Sequence, residues 1–302
     1  MNMKFPIRKR VITAIAASVL IVSACGGSGS ESADTTSPEQ TLKIVSLSPT
    51  ATEMLYAIGA GDQVVAVDSL STFPAEVAPK VTKISAYEPS AEAILAYEPD
   101  VVLISNDMNK ITEQLTGANP EIEVWTGAAA ASLDDVYKQI NELGELTGHT
   151  SEAEELVTSM KTRIDAAVPD EMPLVAFPVY YELDNTFYSV TSNTFVGALL
   201  KQFGLNSIAD GAEEGNDYPQ LSAEAIVKAD PDIIFLADTK CCQQTAATVA
   251  ARAGWSGIQA VKDGNVVELD DDVASRWGPR VVDLIEQFGK AFSDMLAKNA
   301  KK

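Results

Sequence analysis

One sentence is written twice in this chain. SAEAILAYEPDVVLIS runs from Ser90 to Ser105, and SAEAIVKADPDIIFLA runs from Ser222 to Ala237. The first five residues are identical, and so is the Pro-Asp pair. Each copy reads the same way physically. A serine caps a helix, a proline ends it, and an unbroken apolar run follows as a buried strand. Other elements recur in matching order. LKIVSL and then SPTATEMLYAIGAG precede the first copy; PLVAFPVYYE and then SNTFVGALLKQFG precede the second. Alternating strands and helices, repeated once, predict two similar α/β lobes with mostly parallel sheets.

Between the repeats, the stretch from about Ser151 to Val168 has helical apolar spacing and no internal Gly or Pro. It predicts one long helix joining the lobes, stiffer than a Gly/Ser hinge and permitting little lobe movement. The expected division is a leader over 1–24, a tether over 25–40, an N-terminal lobe over 41–148, a connecting helix over 149–170 and a C-terminal lobe over 171–302.

The leader carries Lys4, Arg8, Lys9 and Arg10, then the apolar run Val11 to Val22, which is too short to span a bilayer comfortably. This is the pattern of a secretory signal. Its end, VSAC, resembles a lipoprotein signal, with small residues before Cys25 and Val22 where Leu is commoner. The resemblance implies that Cys25 becomes the lipidated first residue. GGSGSESADTTSPEQ then reads as a flexible polar tether. The expected location is the extracytoplasmic face of the cell membrane, by lipid anchor.

Several chemistries are absent. The net charge of −21 speaks against nucleic-acid binding, which needs a basic face. His149 is the only histidine, so a His-rich metal site and His-based nucleophilic catalysis are excluded; the residue itself is expected to be solvated. No GxxxxGK[ST] or GxGxxG loop occurs. No cofactor or resident metal is expected, and no enzymatic activity. A cell-surface hydrolase using an acidic pair lacks a nucleophile–base set. An adhesive surface protein has no need of a stiff two-lobed form. Cys241 and Cys242 are adjacent, and both two free thiols and a strained vicinal disulfide remain open.

As an ordered set, IVSLSPTATEMLYAIGAGDQVVAVD, FPAEV, AYEPSAEAILAYEPDVVLIS, VYYELDNTFYSVTSNTFVGALLKQFGL, LSAEAIVKADPDIIFL and SRWGPR resemble the substrate-binding lipoproteins of ABC importers for ferric siderophores, haem and cobalamin. The resemblance covers roughly Leu42 to the end. It implies two Rossmann-like lobes joined by one long rigid α-helix, the class III periplasmic binding protein fold. A ligand would lie in the inter-lobe cleft, and the loaded, monomeric protein would dock on permease subunits. It further implies that Glu92 and Glu224, one per lobe, pair with arginines of the permease. The bland role of each Glu is to favour a helix N-terminus.

The ligand expected first is a ferric siderophore, with cobalamin or haem as alternatives. Arg276 and Trp277 suit a flat anionic ligand. Arg280 sits unfavourably at a helix start, with Pro279 expected at the first helical position, and either pairs with Asp270–Asp272 or meets an anionic ligand. Tyr87, Tyr180, Tyr188 and Tyr218 follow strands or precede the SAE helices and are further candidate contacts. Tyr181 and Phe187 read as core.

Overall fold

A computed structural model describes residues 41–171 and 174–301. The expected leader, lipidation at Cys25 and tether lie outside the described residues.

The apolar runs become strands buried on both faces, as parallel sheets require. β1 (Ile44–Leu47), followed by α1 (Pro49–Ala57), lies at the centre of the first sheet, beside β2 (Val64–Val67). After α2 (Ala91–Leu95) come β3 (Val101–Ile104), α3 (Ile111–Ala118) and β4 (Glu123–Thr126). Two long helices follow, α4 (Leu133–Thr147) and α5 (Thr150–Ala167). The second sheet begins with β5 (Phe177–Glu182), α6 (Phe195–Lys201) and β6 (Leu205–Ser207). It continues with α7 (Ala223–Ala229), β7 (Ile233–Leu236), α8 (Ala246–Ala250), α9 (Gln259–Lys262) and β8 (Val266–Glu268). α10 (Asp271–Ala274) and α11 (Val281–Asn299) close the chain. The strand orders are β2-β1-β3-β4 and β6-β5-β7-β8, all pairs parallel. The two lobes thus share one topology.

The written repeat is repeated in detail. Ser90 accepts from the backbone N–H of Ala93 and Ser222 from that of Ala225, each capping its helix. Ile94 and Ile226 are both fully buried beneath those helices. Glu98 and Asp230, at the same repeat position, both take φ of 48°. Each precedes a proline, which disfavours right-handed helical backbone and helps stop the helix there.

Strand alternation sorts the core into layers. Ile44, Val101 and Leu103 face a central cluster, whereas Val45, Val102 and Ile104 face α2 and α3. In the second lobe Val179, Tyr181, Ile233 and Phe235 face the central cluster, and Tyr180, Ile234 and Leu236 the outer one. The central cluster is continuous across both lobes. It takes in Val136 and Ile140 of α4, the α5 stripe Ala153, Val157, Met160 and Ile164, and Ile285 and Phe288 of α11. Gly289 of α11 lies so close to the α5 terminus that a Cβ there would come 2.7 Å from the Ala167 carbonyl. Arg163 of α5 also bonds Asp283 and Glu286 of α11. The helix between the lobes is therefore braced on its length.

Two local expectations are corrected. α11 begins at Val281 with Arg280 as its cap, so Pro279 stands before the first helical residue. The Gly278–Pro279 turn bonds onward first, with the Val281 N–H donating to the Gly278 carbonyl. His149 is half-buried: its Nδ1 lies 3.0 Å from the Thr147 carbonyl at the start of α5.

Candidate functional site

In an open parallel sheet a ligand finds room where strand order reverses, at the carboxyl ends of the strands. In the first lobe that point lies between β1 and β3. A cavity of about 410 Å³ opens there, with Leu47 and Ile104, the paired last residues of the two strands, on its floor. Hydroxyls link beside it: Ser105 donates to Ser48 at 2.9 Å, and Thr52 to Ser46 at 2.9 Å. Asp68, which follows β2, also lines the cavity and is buried. One of its oxygens accepts from the backbone N–H and hydroxyl of Ser71, and the other has no hydrogen-bond partner among the described residues. Burial pushes its carboxyl up from the usual range, against the Ser71 bonds that lower it.

The opposite wall comes from the other end of the chain. Asp272, Ser275, Arg276 and Trp277, on α10 and the turn after it, face the first-lobe strand ends. Trp277 is held by its indole N–H, which donates to Gln139 of α4 at 3.2 Å. Arg276 donates to Glu53 of α1 at 2.9 Å, to Asp272 at 2.8 Å and to the Leu70 carbonyl at 3.2 Å. Tyr87, largely exposed, lies on the same cavity. Tyr87 is thus brought together with Arg276 and Trp277 from two distant stretches of sequence.

Arg280 goes elsewhere. It bonds both oxygens of Glu53, at 2.9 and 2.5 Å, and its guanidinium lies 4.0 Å from the centre of the Phe73 ring. It lines a different hollow, with Phe73 and Pro74, and not the cleft cavity. The Asp270–Asp272 run does not hold it: Lys240 takes Asp270 and Asp272, and Arg276 shares Asp272. Its helix-start position is explained by Glu53, a buried carboxylate wedged between two guanidiniums. Arg163 and Arg252 are paired too, so every arginine among the described residues has a carboxylate partner.

Tyr180 is corrected. It is fully buried, edge-on to Trp255 at 6.0 Å, because strand alternation turns it into the outer core of the second lobe. Burial raises its phenol, and the neighbouring charge of Glu182 raises it further. Tyr188 and Tyr218 are exposed on second-lobe loops joined by the Tyr188–Gln220 bridge, and are not in the cavity lining. Glu92 and Glu224 are exposed in the first turns of α2 and α7, and neither makes an ion pair among the described residues.

The matching point of the second lobe, between β5 and β7, is occupied by side chains. Glu182, the last residue of β5, is fully buried and accepts two bonds of 2.6 Å from Arg252. Arg252 also donates to Gln244 and stacks over Trp255 at 4.5 Å. Asp238, just past β7, is buried beside them and faces Glu182. Its carboxyl is pushed up to about 7, first by burial and then by the charge of Glu182. One lobe therefore offers a cavity at its switch point and the other fills it with an ion cluster. Sequence reasoning passed over Glu53, Asp68, Glu182 and Asp238. For three of them a signal existed, an acid placed straight after an apolar strand run: VVAVD, VYYE and IFLAD.

Among the described residues no group of three or more His, Cys, Asp or Glu side chains is arranged to hold a metal ion. The cleft carries one cation, already paired, two carboxylates, and aromatic and hydroxyl groups.

Residues 44–273 match the periplasmic binding protein family. The chain is 33% identical over 269 residues to an uncharacterized ABC transporter substrate-binding lipoprotein, YvrC, of Bacillus subtilis, covering 85% of this chain and 82% of that one. It is 32% identical over 259 residues to a cobalamin-binding protein of Halobacterium salinarum, covering 83% and 69%. The solved periplasmic vitamin B12 binding protein BtuF of Vibrio cholerae superposes with a TM-score of 0.68 at 21% identity, over 84% of this chain and 97% of that one. That likeness shows the class III fold of two parallel-sheet α/β lobes. The chain belongs to the periplasmic binding protein family, the non-enzymatic substrate-binding components that serve ABC importers.

Proposed function

We propose that this protein captures a corrinoid, of the cobalamin type, in the cavity between the first-lobe strand ends and the Asp272–Trp277 segment, and delivers it to an ABC permease. The observation that carries the choice is the charge of the cleft. The sequence pointed first to a ferric siderophore because two arginines flank Trp277. Arg280 lies outside the cavity and Arg276 is spent on Glu53 and Asp272. The lining holds no unpaired cation for a catecholate chelate or for the propionates of haem. It offers instead two carboxylates, hydroxyls, Asn106 and the rings of Tyr87 and Trp277. A corrinoid is a flat macrocycle edged with neutral amides. Rings can cover its face, and acceptors can take its amide N–H groups. Halobacterium and Vibrio relatives bearing cobalamin or vitamin B12 names support the same choice. A corrinoid exceeds 410 Å³ and would project from the cavity toward the second lobe.

Cys25, in its lipobox-like setting, anchors the protein to the outer face of the cell membrane in this reading, as the name of the Bacillus relative suggests. Among the described residues no helix is long and apolar enough to cross a membrane. Glu92 and Glu224, exposed and equivalent in the two lobes, are the docking points.

Titration followed by tryptophan fluorescence tests the ligand, with cyanocobalamin, haemin, a ferric hydroxamate and a ferric catecholate. Quenching by cyanocobalamin with Kd at or below about 1 µM, and weaker response to the others, is expected. Tightest binding of a ferric chelate would return the reading to siderophore uptake.

A further inference from the structure

Cys241 and Cys242 stand on the loop after β7, and their Sγ atoms are 2.7 Å apart. That is well inside the van der Waals separation of two sulfur atoms. The backbone of both residues is held in place. The Cys241 N–H donates to Asp271 at 2.8 Å, and the Cys242 N–H to the Asp238 carbonyl at 3.2 Å. Cys241 is exposed and Cys242 half-buried, so a soluble reagent reaches the pair.

We propose that Cys241 and Cys242 are a redox modification site that closes to a vicinal disulfide, and that its state is communicated to the wall of the cleft. In the closing step a disulfide oxidant exchanges with the pair. Both S–H bonds break, one S–S bond forms between Cys241 and Cys242, and the oxidant leaves as two thiols carrying the two electrons and two protons. Adjacent Cα atoms are about 3.8 Å apart across a trans peptide, below the usual span of about 4.4–6.8 Å for a disulfide. The ring is therefore strained and readily reopened by thiols, which suits a switch better than a staple.

The loop has a direct line to the cleft. Lys240, the preceding residue, bonds Asp270 at 2.6 Å and Asp272 at 2.8 Å. Asp272 accepts from Arg276, and both line the cavity. On the other side Gln244 accepts from Arg252 of the buried cluster. Reshaping the Cys241–Cys242 peptide pulls on both. The Cys241 thiol is held above its ordinary value, by partial desolvation against the loop and by its neighbour's sulfur and Asp271. With Lys240, Asp270 and Asp272 as the other charges nearby, exchange is slow at neutral pH and quickens with alkalinity, as the thiolate fraction grows.

Trypsin cuts after Lys240 and Arg252, placing both cysteines in the one peptide 241–252. The full chain is treated with oxidised glutathione, alkylated and digested. The expected product is this peptide lighter by two hydrogens, unalkylated and joined to no other. A doubly alkylated peptide, a glutathione adduct, or a link to the Cys25 peptide would overturn the disulfide. Hydrogen exchange then tests the coupling. Amide exchange over residues 270–277 should differ by about twofold or more between oxidised and reduced protein, and not respond to oxidant in the Cys241→Ser, Cys242→Ser double variant. Equal exchange in the two states removes the coupling.

Discussion

Asp238 is the residue whose surroundings make stability depend on pH near neutrality. It is buried past the end of β7, faces Glu182, and is lifted to about 7. Glu182 is already neutralised by Arg252, so a second buried negative charge has no further partner. The folded protein therefore holds a proton on Asp238 that the unfolded chain releases near pH 4. Between about pH 4 and 7 the folded state binds more protons, and stability falls as pH rises through that window. Urea titrations at a series of pH values should show this slope. Asp238→Asn keeps a neutral side chain of the same shape and should flatten it. An unchanged slope in the variant would place the effect elsewhere. Tyr180 makes the complementary point about single residues. One step along β5 separates it from Tyr181, and that step alone assigns it to the outer core instead of the inner one.

At the level of elements, α1 and the α10–α11 segment are joined by Glu53. Its side chain is 2% exposed and receives Arg276 and Arg280 together. Such a cluster is weak evidence for net stability, because both signs are desolvated. Breaking it is another matter. Glu53→Ala leaves two largely buried guanidiniums without their shared partner, and should cost about 3–5 kcal/mol in chemical unfolding. A loss below about 1 kcal/mol would mean that Asp272 and water compensate. The same substitution should loosen the cleft wall, since Arg276 then rests on Asp272 and the Leu70 carbonyl alone. The SAE helices illustrate the opposite case, an element complete in its own sequence. Serine cap, buried Ile and left-handed stop all lie within nine residues in each copy.

Across the whole molecule, one continuous core among the described residues runs through α4, α5 and α11 between the two sheets. Glu92 and Glu224 stand exposed, one per lobe. Two such acidic points suit orientation on a partner bearing matching cations, more than raw affinity. Reversing both charges, Glu92→Lys with Glu224→Lys, should abolish cellular uptake of cyanocobalamin while leaving the Kd of the isolated protein unchanged. Loss of ligand binding in the double variant would instead assign these residues to the cleft. The two lobes are alike in topology and unlike at their switch points. The first is open and the second is filled by Glu182, Arg252 and Asp238.

By itself the sequence determined the α/β class, the doubling of the lobe and the capped helices that carry Glu92 and Glu224. These rest on local signals: a cap, a proline, an apolar run and their recurrence. The edge strands β4 and β8 escaped it because they are half-exposed and lack long apolar runs. Only the tertiary structure decided what the arginines do. Glu53 lies more than two hundred residues from Arg276 and Arg280, and no spacing rule joins an acid in one lobe to guanidiniums near the chain's end. Charge in a sequence reports how many ions there are. Which of them remain free for a ligand depends on who is buried beside whom, and that is settled only when the lobes pack.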